Sequence, residues 1–144
     1  MGNAAAAAPE ERRLHGEYWS ALTSGAACLT ASECTRCGNC YLPAIATCVA
    51  CKGRKFRARP LTSTGTLYTY TIVRDAGGVW PSRYTIGYVD FATEKVRVCG
   101  HVRETDPSRL RVGMPVGIEE AVLYTESAGT RLKCFRFHAL EGSR

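Results

Sequence analysis

The sequence predicts a mainly β protein in three parts: an N-terminal helix over 9–25, a four-cysteine ribbon over 26–60 and a small β-barrel over 61–140. Three observations predict it. Two Cys-x-x-Cys pairs, Cys34/Cys37 and Cys48/Cys51, stand ten residues apart. From Gly65 onward, runs rich in Val, Ile, Thr and Tyr recur between turn signals. Ahead of both, Leu14, Tyr18 and Leu22 recur at i, i+4 and i+8, the spacing of one helical face.

Residues 1–8 read as a disordered leader. Pro9 followed by Glu10 and Glu11 suits a helix start, with acidic residues at the positive end of the dipole. Gly25 suits its end, although Gly16 interrupts the interior. The stripe of Tyr18 and Leu22, with Trp19 beside it, has two readings: packing on the protein's own ribbon, or docking on a partner subunit. Large aromatics are enriched at interface hot spots, which makes Trp19 the leading candidate for the second.

The ribbon takes its reading from metal chemistry. A two-residue gap lets a tight turn aim both sulfurs of a pair at one ion, and two such turns complete a tetrahedral four-sulfur shell from Cys34, Cys37, Cys48 and Cys51. Gly38 and Gly53 allow the left-handed backbone that curls amides toward thiolates. A closed shell leaves no coordination position for substrate, so the predicted metal is one structural zinc in a rubredoxin-like ribbon. Iron uses the same four ligands, and Cys37-Gly-Asn-Cys40 is also a Cys-x-x-Cys, so spacing alone does not separate zinc from iron. Cys28, Cys99 and Cys134 have no partner spacing and read as buried free thiols. A basic stretch follows the ribbon: Arg54, Lys55, Arg57 and Arg59, closed by Pro60.

Five β segments follow: Gly65–Val73, Arg83–Phe91, Lys95–Val102, Val116–Tyr124 and Thr130–Ala139. Asp75-Ala76-Gly77-Gly78 and Ser127-Ala128-Gly129 mark turns, and Asp106-Pro107-Ser108 caps a short helix between the third and fourth strands. In the third segment Val96, Val98 and Val102 alternate with Lys95, Arg97 and His101, which predicts one buried and one wet face. Tyr68, Tyr70 and Ile72 fall on one face of the first. This element order is that of an OB-fold, a five-stranded Greek-key barrel, with an SH3-like barrel as its chief rival. Residues 141–144 read as a tail.

Eight cysteines with no stretch that reads as a secretory signal or membrane span predict a cytoplasmic protein that binds metal rather than forming disulfides. The net charge of +6 suits phosphate-bearing ligands, nucleic acid or an acidic protein. Catalytic equipment is sparse. The histidines are His15, His101 and His138, each expected at the surface, and there is no Gly-x-Ser-x-Gly, Walker or Gly-x-Gly-x-x-Gly motif.

Taken together, Tyr18-Trp19 with Leu22 and Gly25, the ribbon, Ser63-Thr64-Gly65-Thr66-Leu67-Tyr68-Thr69, Tyr84-Thr85-Ile86-Gly87-Tyr88-Val89-Asp90-Phe91 and Val112-Gly113-Met114-Pro115-Val116 are in the order of a known family. The chain resembles the zinc-ribbon plus OB-fold proteins that accompany acyl-CoA enzymes as small accessory subunits of thiolase-like partners. It departs from the family between the knuckles, where Leu42-Pro43-Ala44 replaces a Pro-Pro-Arg-like stretch, and at the ending Phe135-Arg136-Phe137-His138. The resemblance implies a non-catalytic subunit of a hetero-oligomer that stabilises a thiolase, acyltransferase or side-chain aldolase and can help to hold CoA or acyl-CoA. Arg54, Lys55, Arg57 and Arg59 are then candidates for the CoA phosphates, since guanidinium forks match phosphate oxygens, and Tyr18, Trp19 and Leu22 for the partner interface. The alternative function is single-stranded nucleic-acid binding, with Tyr68, Tyr70, Tyr84, Tyr88 and Phe91 as a stacking platform rather than core.

Overall fold

The computed structural model describes residues 7–75, 77–78 and 80–140. Most of the expected leader, the whole expected tail and Ala76 of the expected turn lie outside the described residues.

Alternating Val, Ile, Phe and Tyr build the barrel strands. They are β6 (Thr64–Val73), β7 (Tyr84–Phe91), β8 (Val96–Val102), β9 (Pro115–Thr125) and β10 (Arg131–Ala139), each within a residue of its predicted start and end. The strands pair in the order β10-β8-β7-β6-β9, and β9 pairs back to β10, which closes the barrel. All pairings are antiparallel except β8 with β10. A parallel pair needs a crossover, and the connection through the 3-10 turn Pro107–Arg109 and β9 supplies it. Asp106 caps that turn as expected, accepting from the Ser108 amide at 2.9 Å. The topology is the OB-fold.

In β8, Val96, Val98 and Val102 are buried, as the alternation requires. In β6 a bulge between Leu67 and Thr69 shifts the register. Gly65 and Leu67 face inward before it; Tyr70 and Ile72 are partly buried after it, and Tyr68 stands out at 48% exposure. The predicted single face of Tyr68, Tyr70 and Ile72 is thus split, because an extra residue inverts the side-chain alternation of a strand. Gly65 has no room for a side chain: a Cβ there would strike Val89 Cγ1 and sit 3.1 Å from the Asp90 carbonyl oxygen.

The ribbon half comprises β3 (Ala27–Cys34), β4 (Cys40–Tyr41) and β5 (Phe56–Pro60), with β3 paired antiparallel to both. It does not have a core of its own. Trp19, Ala27, Leu29 and Ala31 join Leu67, Phe91, Val98, Val116 and Phe137 in one buried cluster. Buried Glu94, in the β7–β8 loop, accepts from the Thr62 amide at 3.2 Å and so fixes the link between ribbon and barrel.

The expected helix over 9–25 does not form, and no α-helix occurs among the described residues. That segment instead makes two short strands, β1 (Glu11–Arg13), parallel to β10, and β2 (Trp19–Ala21), antiparallel to β3. The physical reason lies in the barrel. β8 covers β10 only at Arg136 and Phe137, which leaves the first half of β10 as an open edge. The chain start pairs along it at Arg131, Leu132 and Lys133, and a long unpaired edge is costly. Between the two strands the chain reverses at His15, whose φ is 53°. Gly25 does adopt a left-handed φ, 80°, but to turn β2 into β3 rather than to end a helix. One conformational demand served two different elements.

Candidate metal centre and neighbouring surfaces

The four predicted cysteines come together. Sγ atoms of Cys34, Cys37, Cys48 and Cys51 all lie within 4.8 Å of one another. Cys34 to Cys51 is 3.6 Å and Cys37 to Cys48 is 3.5 Å. A tetrahedral ion with metal–sulfur bonds of about 2.3 Å requires sulfur separations of about 3.8 Å, so the arrangement fits a metal. Cys40 stays outside the group, its thiol directed at the Gly38 carbonyl oxygen, 3.8 Å away.

The two knuckles repeat one geometry. The Gly38 amide donates to the Cys34 carbonyl at 2.8 Å and the Lys52 amide to the Cys48 carbonyl at 2.9 Å. The Cys34 and Cys48 amides in turn donate to Asn39 and Gly53 carbonyls, both at 2.8 Å. The left-handed residue is therefore Gly38 (φ 77°) in the first knuckle but Lys52 (φ 62°) in the second. Gly53, expected to have that role, has another. A Cβ there would approach the Cys34 and Cys51 sulfurs to 3.1 and 3.2 Å. Only glycine leaves that side of the cluster clear, and its amide points at Cys51 Sγ from 3.4 Å.

Four thiols this close cannot ionise alike. The Tyr41 hydroxyl, 3.1 Å from Cys48 Sγ, brings the Cys48 pKa down to about 6. The Gly53 amide favours the Cys51 thiolate too, but desolvation and the neighbouring cysteines prevail and push it up to about 12. A divalent cation relieves that conflict by neutralising several thiolates at once.

Beside the cluster the structure contains a group that the sequence reading missed. Glu33, immediately before Cys34, is buried and accepts from Arg57, opposite it on β5, and from Arg59 at 3.1 Å. Hydrogen bonding from Arg57, then the charge of both arginines, holds the Glu33 carboxyl below its usual range. Two of the four cations predicted for CoA phosphates are thus bound to a carboxylate within the ribbon, while Arg54 and Lys55 are exposed in the loop before β5. The signal was present: Arg57 and Arg59 alternate with Ala58 as a strand does, and that spacing puts both on one face.

The predicted partner residues separate. Trp19 is 3% exposed and belongs to the core, its Nε1 donating to the Leu14 carbonyl at 2.8 Å. Trp19 thus packs in the protein's own core, the first of the two readings of that stripe. Tyr18 is half-buried and Leu22 is 50% exposed. Among the candidate stacking aromatics, Phe91 is buried, Tyr70 and Tyr84 are half-buried, and Tyr68 and Tyr88 are exposed. Arg97 lies over the Tyr68 ring, 3.3 Å from its centroid, and is paired with Asp90 at 2.6 Å. Of the three thiols expected to be buried, Cys134 is, Cys28 is half-buried and Cys99 is exposed. His15 is exposed, whereas His101 and His138 are half-buried.

The fold and the site define a class, proteins that join a tetracysteine metal ribbon to a closed OB barrel. Within it, residues 58–119 match the family described as the ChsH2 C-terminal OB-fold domain. The chain is 26% identical over 135 residues to benzoylsuccinyl-CoA thiolase subunit BbsA of Thauera aromatica, covering 92% of this chain and 91% of that protein. Its fold is that of a chain in the Ltp2-ChsH2(DUF35) aldolase structure, with a TM-score of 0.61 over 75% of this chain and 83% of the other, at 20% identity.

Proposed function

We propose that this protein is a non-catalytic accessory subunit that binds and stabilises a thiolase-like acyl-CoA enzyme. One observation carries the reading: the likeness to a thiolase subunit runs nearly end to end in both chains, ribbon and barrel included. In this reading the partner subunit supplies the nucleophile and bases, and this chain supplies a rigid surface. The tetracysteine site suits that task, because a four-coordinate ion stiffens the ribbon without an open position for substrate.

Zinc is the metal we assign to the cluster. Four thiolates in tetrahedral array suit zinc, which gains nothing from redox chemistry and is the usual structural ion of such knuckles. We place the protein in the cytoplasm, where thiols stay reduced and are available to the metal. No helix of the described residues is long and apolar enough to cross a membrane. Tyr18 and Leu22 remain the proposed contacts for the partner, now without Trp19. For the CoA phosphates the proposed contacts are Arg54 and Lys55, with Arg57 and Arg59 held in reserve by Glu33.

Nucleic-acid binding fits less well. The exposed Tyr68 ring is covered by Arg97, which is itself paired with Asp90 at 2.6 Å, so neither that ring face nor that cation is free for a base or a phosphate. Affinity capture of the tagged chain from its native cells tests the proposal. A thiolase-like protein should be recovered in stoichiometric amount, and recovery should survive nuclease treatment. Capture of nucleic acid alone, lost steeply at moderate salt, would favour the alternative.

A further inference from the structure

A cleft on the barrel shares no residue with the four-cysteine cluster. This cleft, of about 140 Å³ at one end of the barrel, is lined by Arg83, Tyr84, His101, Arg103, Thr105 and Arg136, among others, with no carboxylate in its lining. Three guanidinium groups thus surround a space on the order of four or five water molecules in size. Their charge is only partly compensated. Glu119, 16% exposed at its side chain, accepts from Arg103 at 3.1 Å and from Arg136 at 2.7 Å, so one carboxylate faces two cations. Arg83 donates to a neutral acceptor, the Thr105 carbonyl at 2.9 Å. Asp106 lies near enough to feel Arg83, but its Oδ1 accepts from the Ser108 amide and hydroxyl.

An aromatic wall stands beside these cations. Trp80 stacks on His101 with ring centres 5.4 Å apart, and Tyr84 lies 5.2 Å from the same imidazole. Tyr124 meets Trp80 edge-on at 5.0 Å. Burial among these rings, and the charge of Arg136, hold the His101 pKa below the ordinary imidazole value. At neutral pH the ring therefore presents one N–H donor and no charge.

We infer that this cleft binds the phosphoryl group of a small molecule, with Arg83, Arg103 and Arg136 on its oxygens. Phosphate fits better than carboxylate. A phosphoryl group carries about −1.5 to −2 charge and three acceptor oxygens, which match guanidinium forks converging from β10 and from the segments just before β7 and just after β8. The compact cleft, unlike an extended groove, suits one phosphoryl group rather than a polymer backbone. The inference goes beyond the accessory-subunit reading and needs no partner protein, so its failure would leave that reading standing.

The test is a titration of the full chain with inorganic phosphate, with adenosine 5′-monophosphate and with adenosine, followed by amide shifts of residues 80–84 and 100–105. Inorganic phosphate, adenosine monophosphate or both should bind and move those shifts, and adenosine should bind much more weakly than its monophosphate. Binding of free phosphate would identify the phosphoryl group alone as sufficient; binding of the monophosphate only would identify an organic phosphate as the ligand. Arg83→Gln, which breaks no ion pair of the cleft, should weaken binding about tenfold or more with the melting temperature unchanged; Arg103→Gln should weaken binding likewise, with a small fall in melting temperature from its lost pair with Glu119. Arg111→Gln, exposed and outside the lining of the cleft, should leave binding intact. Equal affinity in the Arg83→Gln and parent proteins, no binding of either phosphate, or adenosine binding as tightly as its monophosphate would each overturn the inference.

Discussion

Replacing Cys48 by Ser should abolish metal binding and unfold the ribbon together. Cys48 is fully buried and its sulfur meets both Cys37 and the Tyr41 hydroxyl. A structural zinc contributes an apparent ~10–16 kcal/mol in small metal-folded peptides, comparable to or larger than the ~5–15 kcal/mol stability of a typical domain. The protein has one metal per chain in this account, so elemental analysis of the variant should fall from one equivalent to none. The effect should reach the barrel, because Leu29 and Ala31 of β3 belong to the same buried cluster as Val98 and Phe137. Cys40→Ser is the matched control. Its thiol lies outside the sulfur cluster, so metal content and melting should match the parent; loss of metal there would mean that the ligand set is wrong.

Trp19→Ala should destabilise the isolated chain by ~3–5 kcal/mol, the range for emptying a buried tryptophan site. For a chain of this size that corresponds to a fall in melting temperature on the order of 10 °C. The indole is 3% exposed, donates to the Leu14 carbonyl at 2.8 Å and has the Arg13 guanidinium over its ring at 4.2 Å. Removing it opens a cavity and leaves that carbonyl short of a partner. Thermal melting of the purified variant is the check. An unchanged melting temperature combined with weaker partner capture would return Trp19 to the docking surface.

The barrel was legible because its strands carry the signals that strands need. Val96, Val98 and Val102 alternate with polar residues, and the cap residue Asp106 and the turn residue Gly129 stand between strands. The cysteine ligands were legible for a similar reason: two short spacings encode two tight turns. What escaped was set by distant neighbours. The Leu14–Tyr18–Leu22 spacing fits a helix locally, but the open half of β10 pairs with Glu11–Arg13 and β3 pairs with Trp19–Ala21 of the same segment, and tertiary pairing overrides a weak local propensity. The bulge after Leu67 inverts a face without any glycine or proline to announce it. Lys52 takes a left-handed backbone that residue type alone assigns to Gly53. Glu33 and its two arginines are apart in sequence and meet only once β3 and β5 pair. His101 was expected on a wet face; Trp80, reaching it from the loop between β6 and β7, half-covers the ring.

The accessory role is the central claim, and reconstitution measures it most directly. The purified chain, loaded with metal, is assayed for thiolysis, aldol cleavage and acyl transfer by itself, and again after addition of the thiolase-like protein captured with it. The account predicts no turnover by the chain alone and turnover by the complex, with the complex more stable than the partner in isolation. Turnover by the rigorously purified chain without any partner would contradict it.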